Sequence, residues 1–146
     1  MSVSGVGRIG SKLMSDSIQF TAYGIPQPKG STKSFVVKGR AITTSANAKV
    51  KPWQEIVAYA AQQHRPPQVW VGGIRIRLHF YFLRPKSVSV KKRPHHTVKP
   101  DVDKITRGVL DALTGVIWAD DSQVCSMTVC KSYGDSPSVD VQIWEV

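Results

Sequence analysis

A nine-residue run in the middle of the chain alternates strictly between apolar and polar side chains. Its apolar members share one parity: Ile74, Ile76, Leu78, Phe80 and Phe82. Because successive side chains of a strand point to opposite faces, the run predicts a β-strand with one face in the core. The intervening residues are Arg75, Arg77, His79 and Tyr81. This second face fits either a solvated surface or a positively charged wall beside a bound polymer.

The other periodicities place this strand in an α/β (α+β) fold. Further strands are predicted over residues 18–23, 123–133 and 139–144. Apolar residues at three- and four-residue steps predict one helix that begins near Val50 and ends before Pro66, and a second helix over residues 102–113. We therefore expect a small mixed or antiparallel sheet of about four strands that carries two main helices.

The chain of 146 residues has the usual size of a single domain with its own core. We expect a flexible tail over residues 1–17 and one folded domain over residues 18–146, with an irregular or hairpin segment around Phe35. The tail lacks the apolar region of a signal peptide, and no run of about 18 apolar residues predicts a membrane span. Cys125 and Cys130 do not form a disulfide framework, which favours a cytoplasmic location.

Charge separates the possible partners of the chain. Twenty Lys and Arg residues against ten Asp and Glu residues give a formal net charge of +10, with a pI of about 9.9. A surface of this charge favours nucleic acid as the partner. An anionic membrane is a weaker candidate, because the sequence has no amphipathic helix rich in Lys and Arg.

The few carboxylates are concentrated in one stretch. Five of the ten lie between positions 101 and 121: Asp101, Asp103, Asp111, Asp120 and Asp121. Carboxylate oxygens are the ligands of divalent cations, and adjacent acids such as Asp120 and Asp121 repel each other unless a cation compensates them. Asp101, Asp103 and Asp121 together suit Mg²⁺, whereas the His and Cys residues lack a zinc-ligand spacing.

Each of these acids also has an ordinary structural interpretation. Asp101 follows a proline and is placed to cap the second helix, and Asp103 lies in its first turn, where acids are favoured. Asp103, Arg107 and Asp111 are spaced i, i+4, i+8, which fits an exposed salt-bridged face as well as a functional one. The spacing alone does not decide between the two.

Residues 84–99 form a predicted loop with six Lys and Arg residues and no acid. Like charges at this density oppose packing, so the segment is either a solvated linker or a loop that contacts DNA. Its position directly before the acidic stretch favours the second interpretation. The predicted DNA-binding residues here and nearby are Lys29, Lys33, Arg84, Lys86, Lys91, Lys92, Arg93, Lys99 and Lys104.

A metal held by carboxylates inside a basic surface suits phosphodiester hydrolysis. The ion activates an attacking water and stabilises the charge of the transition state. Arg107, one turn from Asp103, is the local candidate for additional electrostatic stabilisation. No Ser, His and Asp arrangement competes with this interpretation.

The order of these motifs resembles the RusA-like Holliday junction resolvases. The resemblance rests on Asp101-x-Asp103, a cation at position 107, Asp111-Ala112-Leu113, Asp120-Asp121-x-Gln123-Val124, and an upstream Pro26-x-Pro28-Lys29-Gly30. It implies a homodimeric endonuclease, often encoded by a phage or prophage, that cuts four-way DNA junctions with Mg²⁺ or Mn²⁺. By position, Asp101, Asp103 and Asp121 are the implied metal-binding catalytic residues, and Asp120 and Asp111 are expected to support them.

Two departures from the family pattern motivate an alternative. Arg107 stands where the family commonly has a lysine, and arginine keeps the charge but does not transfer a proton near neutral pH. Lys104 replaces the usual asparagine. A non-catalytic protein that binds junctions or other DNA is therefore the competing hypothesis, and a metal-dependent enzyme acting on RNA or a mononucleotide is a third.

Overall fold

The computed structural model describes residues 17–30, 32–45 and 47–146, and only the backbone of residues 32–35 and 43–45. These ranges contain six strands: β1 (Ser17–Tyr23), β2 (Thr32–Val37), β3 (Arg40–Ser45), β4 (Ile74–Phe82), β5 (Val124–Tyr133) and β6 (Ser138–Glu145). The helices are α1 (Val50–Gln62), α2 (Val102–Leu113) and a short 3-10 helix (Asp121–Gln123). The predicted tail lies outside the described residues, apart from Ser17, which belongs to β1.

Four of the strands form one mixed sheet in the order β1-β6-β4-β5. β6 is antiparallel to both β1 and β4, while β4 and β5 are parallel. The prediction of a small mixed sheet with two helices is therefore confirmed. Within the described residues, β2 and β3 pair only with each other, as a separate hairpin.

The core lies between one face of this sheet and the two helices. The apolar parity of β4 is buried, as the alternation predicts, and it lies beside Val139, Val141 and Ile143 of β6. The helices contribute buried residues at helical spacing: Trp53, Val57 and Ala61 from α1, and Ile105, Val109 and Leu113 from α2. Ile56, part of the apolar pattern of α1, is instead 42% exposed.

The connection from β4 to β5 fixes where the acidic residues lie. Because these strands are parallel, the chain must return along the sheet between them, and α2 makes this return. The N-terminus of α2 therefore lies at the carboxyl end of β4, and its C-terminus lies near the start of β5. Gly115, with φ of +85°, turns the chain out of the helix.

The turn after α2 belongs to the core. Trp118 is fully buried, and residues 118 and 119 exchange backbone contacts with Trp70 and Gly115. Packing within the chain therefore already covers the Trp118 side chain. None of the helices within the described residues has the length and apolarity needed to cross a bilayer.

Candidate active site

Asp101 caps α2 with its backbone only. Its carbonyl oxygen accepts from the amides of Lys104 and Ile105 at 3.1 and 3.2 Å, and its extended φ and ψ of −70° and 144° are those of an N-cap residue. The side chain makes no capping hydrogen bond and is exposed. The carboxylate is therefore not needed to hold the helix end and is available to a ligand.

Asp103 lies two residues further along, in the first turn of α2. Its carboxylate lies 3.1 Å from the Lys104 ammonium, and its side chain is 68% exposed. The hydrogen bond from Lys104 holds the pKa of Asp103 below its usual value, so the group is anionic at neutral pH. The helix start thus carries two exposed acids beside the positive end of the helix dipole.

A cleft of about 630 Å³ opens beside Asp101. On one side stands the segment Ile25–Gly30, which we call the proline lip, and on the other the start of α2 with Lys99, Pro100 and Lys104. Phe82 and Asn47 complete its lining. The cleft therefore combines one acid, two cations and an apolar floor.

The proline lip is fastened to α2 along its length. The Lys29 amide donates to the Lys104 carbonyl at 3.0 Å, and the Arg107 guanidinium donates to the Gly30 carbonyl at 3.3 Å. Gly108 permits the close approach, because a Cβ there would lie 3.3 Å from the Gln27 carbonyl oxygen. The conformation of the lip thus depends on the same helix that carries Asp101 and Asp103.

Asp111 is part of this fastening. Its carboxylate forms an ion pair with the Lys29 ammonium and accepts from the Gln54 amide at 3.3 Å. Gln54 also donates to the Gly108 carbonyl at 2.9 Å. Asp111 therefore joins α2 to α1 and the lip. The acids Asp103 and Asp111 do not form ion pairs with Arg107 between them, since each acid pairs with a lysine instead.

Asp120 and Asp121 lie on the tight turn before β5. Asp120 accepts from the Ser122 amide at 2.9 Å, and this backbone hydrogen bond lowers the pKa of its carboxyl. One oxygen of Asp121 accepts from the Thr114 hydroxyl and from the Trp118 indole at 3.2 Å. Asp120 thus caps the 3-10 helix, while Asp121, although exposed, is oriented by residues at the C-terminal end of α2.

Gln123 secures this turn with four hydrogen bonds. Its carbonyl oxygen accepts from the amides of Ala119 and Asp120 at 2.9 and 2.7 Å. Its amide group donates to the carbonyls of Trp70 and Gly72 at 2.8 and 2.9 Å. One half-buried side chain therefore ties the turn with both acids to the segment that leads into β4.

The three implied metal ligands lie in two places within one chain. Asp101 and Asp103 lie at the N-terminus of α2, whereas Asp121 contacts Thr114, just past its C-terminus. A helix of 12 residues is roughly 18 Å long. Across the described residues, no group of three or more His, Cys, Asp or Glu side chains is placed to hold a metal ion. The structure therefore places Asp101 and Asp103 at the same end of α2, and Asp121 of the same chain near the other end.

The basic loop, residues 84–99, packs in part against the end of the sheet. The Arg84 guanidinium lies 4.1 Å from the centre of the Tyr133 ring and donates to the carbonyl of Arg93. Arg93 donates to the Tyr133 hydroxyl at 3.1 Å. The other predicted DNA-binding cations of the loop, Lys86, Lys91, Lys92 and Lys99, are exposed. The expectation that like charge opposes packing thus fails for the two arginines, because aromatic and carbonyl groups accept them.

His96 anchors the same loop. It is buried and stacks on Phe82 at 4.3 Å, with its edge toward Tyr133 at 5.1 Å. Burial lowers the pKa of His96, and the positive charges of Lys131 and Arg93 lower it further. At neutral pH the imidazole of His96 is therefore uncharged in the folded chain.

Lys131 is a site residue that sequence reasoning missed. Its ammonium donates to the carbonyls of Val98 and Pro100 at 2.6 and 2.8 Å, so it fixes the segment that leads into Asp101. The signal was present in the sequence, because this lysine shares the parity of Val129 and Tyr133, which pack against the core. Of the predicted DNA-binding residues, Lys99 and Lys104 line the cleft and Lys29 belongs to the proline lip, while the side chain of Lys33 lies outside the described residues.

Comparison with known proteins identifies the family of the chain. The chain is 38% identical over 140 residues to the uncharacterized protein YqaN of Bacillus subtilis (strain 168), a match that covers 90% of this chain and 98% of that protein. The model of the family described as Endodeoxyribonuclease RusA matches residues 25–144, which include the proline lip, α2 and both acidic segments. The chain therefore belongs to the RusA endodeoxyribonuclease family.

Proposed function

We propose that the protein is a Mg²⁺-dependent, structure-selective endonuclease that resolves Holliday junctions and related branched DNA by paired strand cleavage. The observation that carries this proposal is the pair of exposed acids at the start of α2, beside a cleft with Lys99 and Lys104. In a chain of net charge +10, such a pair combines attraction for phosphates with a place for a cation. Membership of the RusA family supplies the substrate class.

The donor set at this place suits Mg²⁺, and Mn²⁺ as a substitute. Mg²⁺ keeps several waters and takes one or two carboxylates together with phosphate oxygens of the substrate. Asp101 and Asp103 would hold the ion, and neither carboxylate is committed to capping the helix. When bound, the ion would activate water and stabilise the charge on the reacting phosphate.

The surrounding cations position the DNA backbone. Lys99, Lys104 and Lys29 border the cleft or its lip, where they attract phosphates. Arg107 lies one turn beyond Asp103 and contacts Gly30, so its guanidinium can clamp a phosphate at the lip. Since arginine stays protonated, we assign it an electrostatic role and no proton transfer.

We further propose that the protein acts as a homodimer in which the partner subunit supplies the third acid. α2 and β5 run in opposite directions along the edge of the sheet. A twofold axis perpendicular to α2, beside its middle, sets the N-terminus of α2 against the C-terminal end of the partner's α2. In that arrangement Asp101 and Asp103 of one subunit meet the turn that carries Asp121 in the other.

Cleavage of a labelled four-way junction tests the nuclease proposal. We expect paired nicks near the crossover with Mg²⁺ but not with EDTA, and a loss of at least about 100-fold in rate for Asp103→Asn, the range of one electrostatic contribution to catalysis. The controls are linear duplex of the same sequence and Asp135→Asn, an exposed acid outside α2. Junction binding that Asp103→Asn retains separates a catalytic defect from misfolding.

Mixing two inactive variants tests the shared site. If Asp121 acts across the dimer, Asp103→Asn and Asp121→Asn chains combined by refolding form mixed dimers with one intact site, and nicking returns. If each site lies within one chain, every site keeps one defect and no activity returns. Sedimentation of the wild type reports the dimer independently of activity.

A non-catalytic junction-binding protein is the second candidate. The separation of Asp121 from the other acids within one chain favours it, as do Arg107 and Lys104 in place of the family residues. Tight junction binding by the wild type, without cleavage in Mg²⁺ or Mn²⁺, would establish this candidate and end the enzyme proposal. Competition by single-stranded RNA would show whether DNA is the preferred polymer.

A further inference from the structure

The β2–β3 hairpin protrudes from the fold and contributes no residue to the proposed cleavage site. Among the residues that the structure describes, its strands pair only with each other, with Val37 opposite Arg40. Residues 36–42 are all exposed, and Val36 is 71% exposed, with Val37 at 42% and Ile42 at 38%. A lone two-stranded hairpin with uncovered apolar residues is only marginally stable in water. These residues therefore gain most from contact with a partner.

The hairpin arises at the rim of the cleft. Gly30, just before it, and Asn47, just after it, both line the cleft that contains Asp101. The Asn47 side chain donates to the Gln27 side chain at 3.1 Å, which ties the return strand to the proline lip. With six residues per strand, the hairpin extends roughly 20 Å. DNA held at the cleft therefore has the hairpin as its neighbour.

The charge of this region points to nucleic acid as the partner. No Asp or Glu occurs between positions 17 and 54, and the six cations there are Lys29, Lys33, Lys38, Arg40, Lys49 and Lys51. Lys38 lies in the turn of the hairpin, and Arg40 directly follows that turn. A purely apolar protein surface has no need of such uniform positive charge, whereas a phosphate backbone matches it.

The turn residue itself carries a second indication. Lys38 and Gly39 both have positive φ, 51° and 76°, which is the type I′ geometry of a two-residue hairpin turn. Asn, Asp or Gly suits the first position far better than Lys, and within the described residues Lys38 is the single non-glycine residue with positive φ. A lysine kept there against its backbone preference indicates a use for its charge.

Resting on the proposed function, we infer that this hairpin is a wedge that enters the DNA at the branch point. Val36 and Val37 pack against an unstacked base step, and Lys38 and Arg40 contact the flanking phosphates. Proteins that bend DNA commonly use apolar side chains in this way and gain contact area from the distortion. The wedge would hold the opened crossover beside the acids of α2 and favour branched over linear DNA.

Base unstacking tests the wedge without cleavage. A four-way junction with 2-aminopurine at the crossover is titrated in EDTA, where an unstacked base fluoresces more strongly. We expect a several-fold rise with the wild type, and loss of most of that rise with Val36→Ser/Val37→Ser at saturating protein. Val146→Ser, a valine 56% exposed at the C-terminus, should behave like the wild type. A full rise with the double variant would overturn the inference.

Lys38 supplies a variant in which structure and binding change in opposite directions. Lys38→Asn suits the turn better, so the free energy of unfolding should not fall, yet junction affinity should drop several-fold and the salt slope by about one. Lys38→Arg should retain the wild-type junction affinity and salt slope. Unchanged affinity for Lys38→Asn contradicts the wedge, as does a dimer that dissociates in the valine variant, which would make the hairpin a subunit contact.

The two proposals fail separately. If the wild type cleaves junctions in Mg²⁺ and the hairpin variants unstack and cleave equally well, only the wedge is wrong. If the wild type does not cleave but unstacks the crossover through Val36 and Val37, the nuclease proposal fails and the wedge stands as the binding device of a junction-binding protein.

Discussion

Replacing Gln123 by glutamate should damage the turn that carries Asp120 and Asp121. The substitution keeps the acceptor oxygen that faces the amides of Ala119 and Asp120. It also sets a carboxylate oxygen against the carbonyls of Trp70 and Gly72, which now receive the amide protons at 2.8 and 2.9 Å. Two donated bonds are thus replaced by repulsion between oxygens.

The size of the effect follows from these contacts. Hydrogen bonds contribute about 0.5–1.5 kcal/mol each, and a group left without its partner costs about 1–3 kcal/mol. For a half-buried side chain that water can reach in part, we expect a loss of about 2–4 kcal/mol in the free energy of unfolding. With a urea m-value of about 2 kcal/mol/M, the midpoint falls by about 1–2 M. Junction cleavage should fall too, since Asp121 lies on the same turn.

The pH dependence distinguishes this mechanism from a general loss of packing. Because the introduced carboxyl group faces two carbonyls, its protonated form is favoured, and its pKa in the folded state lies above the ordinary glutamate value of about 4.3. When the pKa of a group is higher in the folded state than in the unfolded state, its protonated form stabilises the fold. That stabilisation is complete below the unfolded-state pKa and is lost as the pH rises through the folded-state pKa. The deficit of Gln123→Glu against the wild type should therefore shrink from pH 7 to pH 4.

Urea unfolding followed by tryptophan fluorescence at both pH values measures this. Gln68→Glu, at an exposed glutamine, adds the same charge without the carbonyl neighbours and should leave the midpoint nearly unchanged. A Gln123→Glu protein as stable as the wild type at pH 7, or a deficit that stays constant down to pH 4, would refute the assignment of Gln123 as the tie of this turn.

Three other outcomes are expected. Burial lowers the pKa of His96, so its neutral form stabilises the fold fully above about pH 6.5, and this stabilisation is lost as the pH falls toward the folded-state pKa. Urea unfolding at pH 7.5 and 5.0 should therefore show a smaller loss of stability at the lower pH for His96→Phe than for the wild type. The Lys29 and Asp111 pair is partly exposed, so a double-mutant cycle with Lys29→Met and Asp111→Asn should give a coupling of about 0.2–1 kcal/mol, and additivity would show that the pair does not hold the lip. Junction affinity should drop about 10³- to 10⁵-fold from 50 to 200 mM salt if six or more phosphates are bound, and a flat titration would contradict electrostatic binding.

Much of the fold follows from local patterns in the chain. The alternation in β4 and the three- and four-residue spacing in α2 predict elements whose bounds the structure reproduces, because the burial of one face imposes period 2 on a strand and period 3.6 on a helix. Ile56 shows the limit of this reasoning. A helical pattern shows that a face is apolar, but only the packing of α1 on the sheet determines where that face ends.

The arginines of the basic loop show a similar limit. The density of like charge predicts that the loop does not pack, yet Arg84 packs on Tyr133 and Arg93 donates to its hydroxyl. An arginine combines a planar apolar face with several donors, so its partners decide whether it faces solvent. For Arg93 that partner lies 40 residues away in the sequence, and no local pattern indicates it.

The sequence by itself determined the residue types of the site: scarce acids at the start of one helix and after its end, within a chain of net positive charge. It also determined the family, because the family motif is a spacing of acids that is visible in the sequence. Only the tertiary structure decided that Asp101 leaves its carboxylate free, that Asp111 and Gln123 serve as ties, and that Asp121 lies at the other end of α2 from Asp103. The reason is geometric: the parallel pairing of β4 and β5 forces α2 to span the sheet between them, so residues close in sequence order are held a helix length apart.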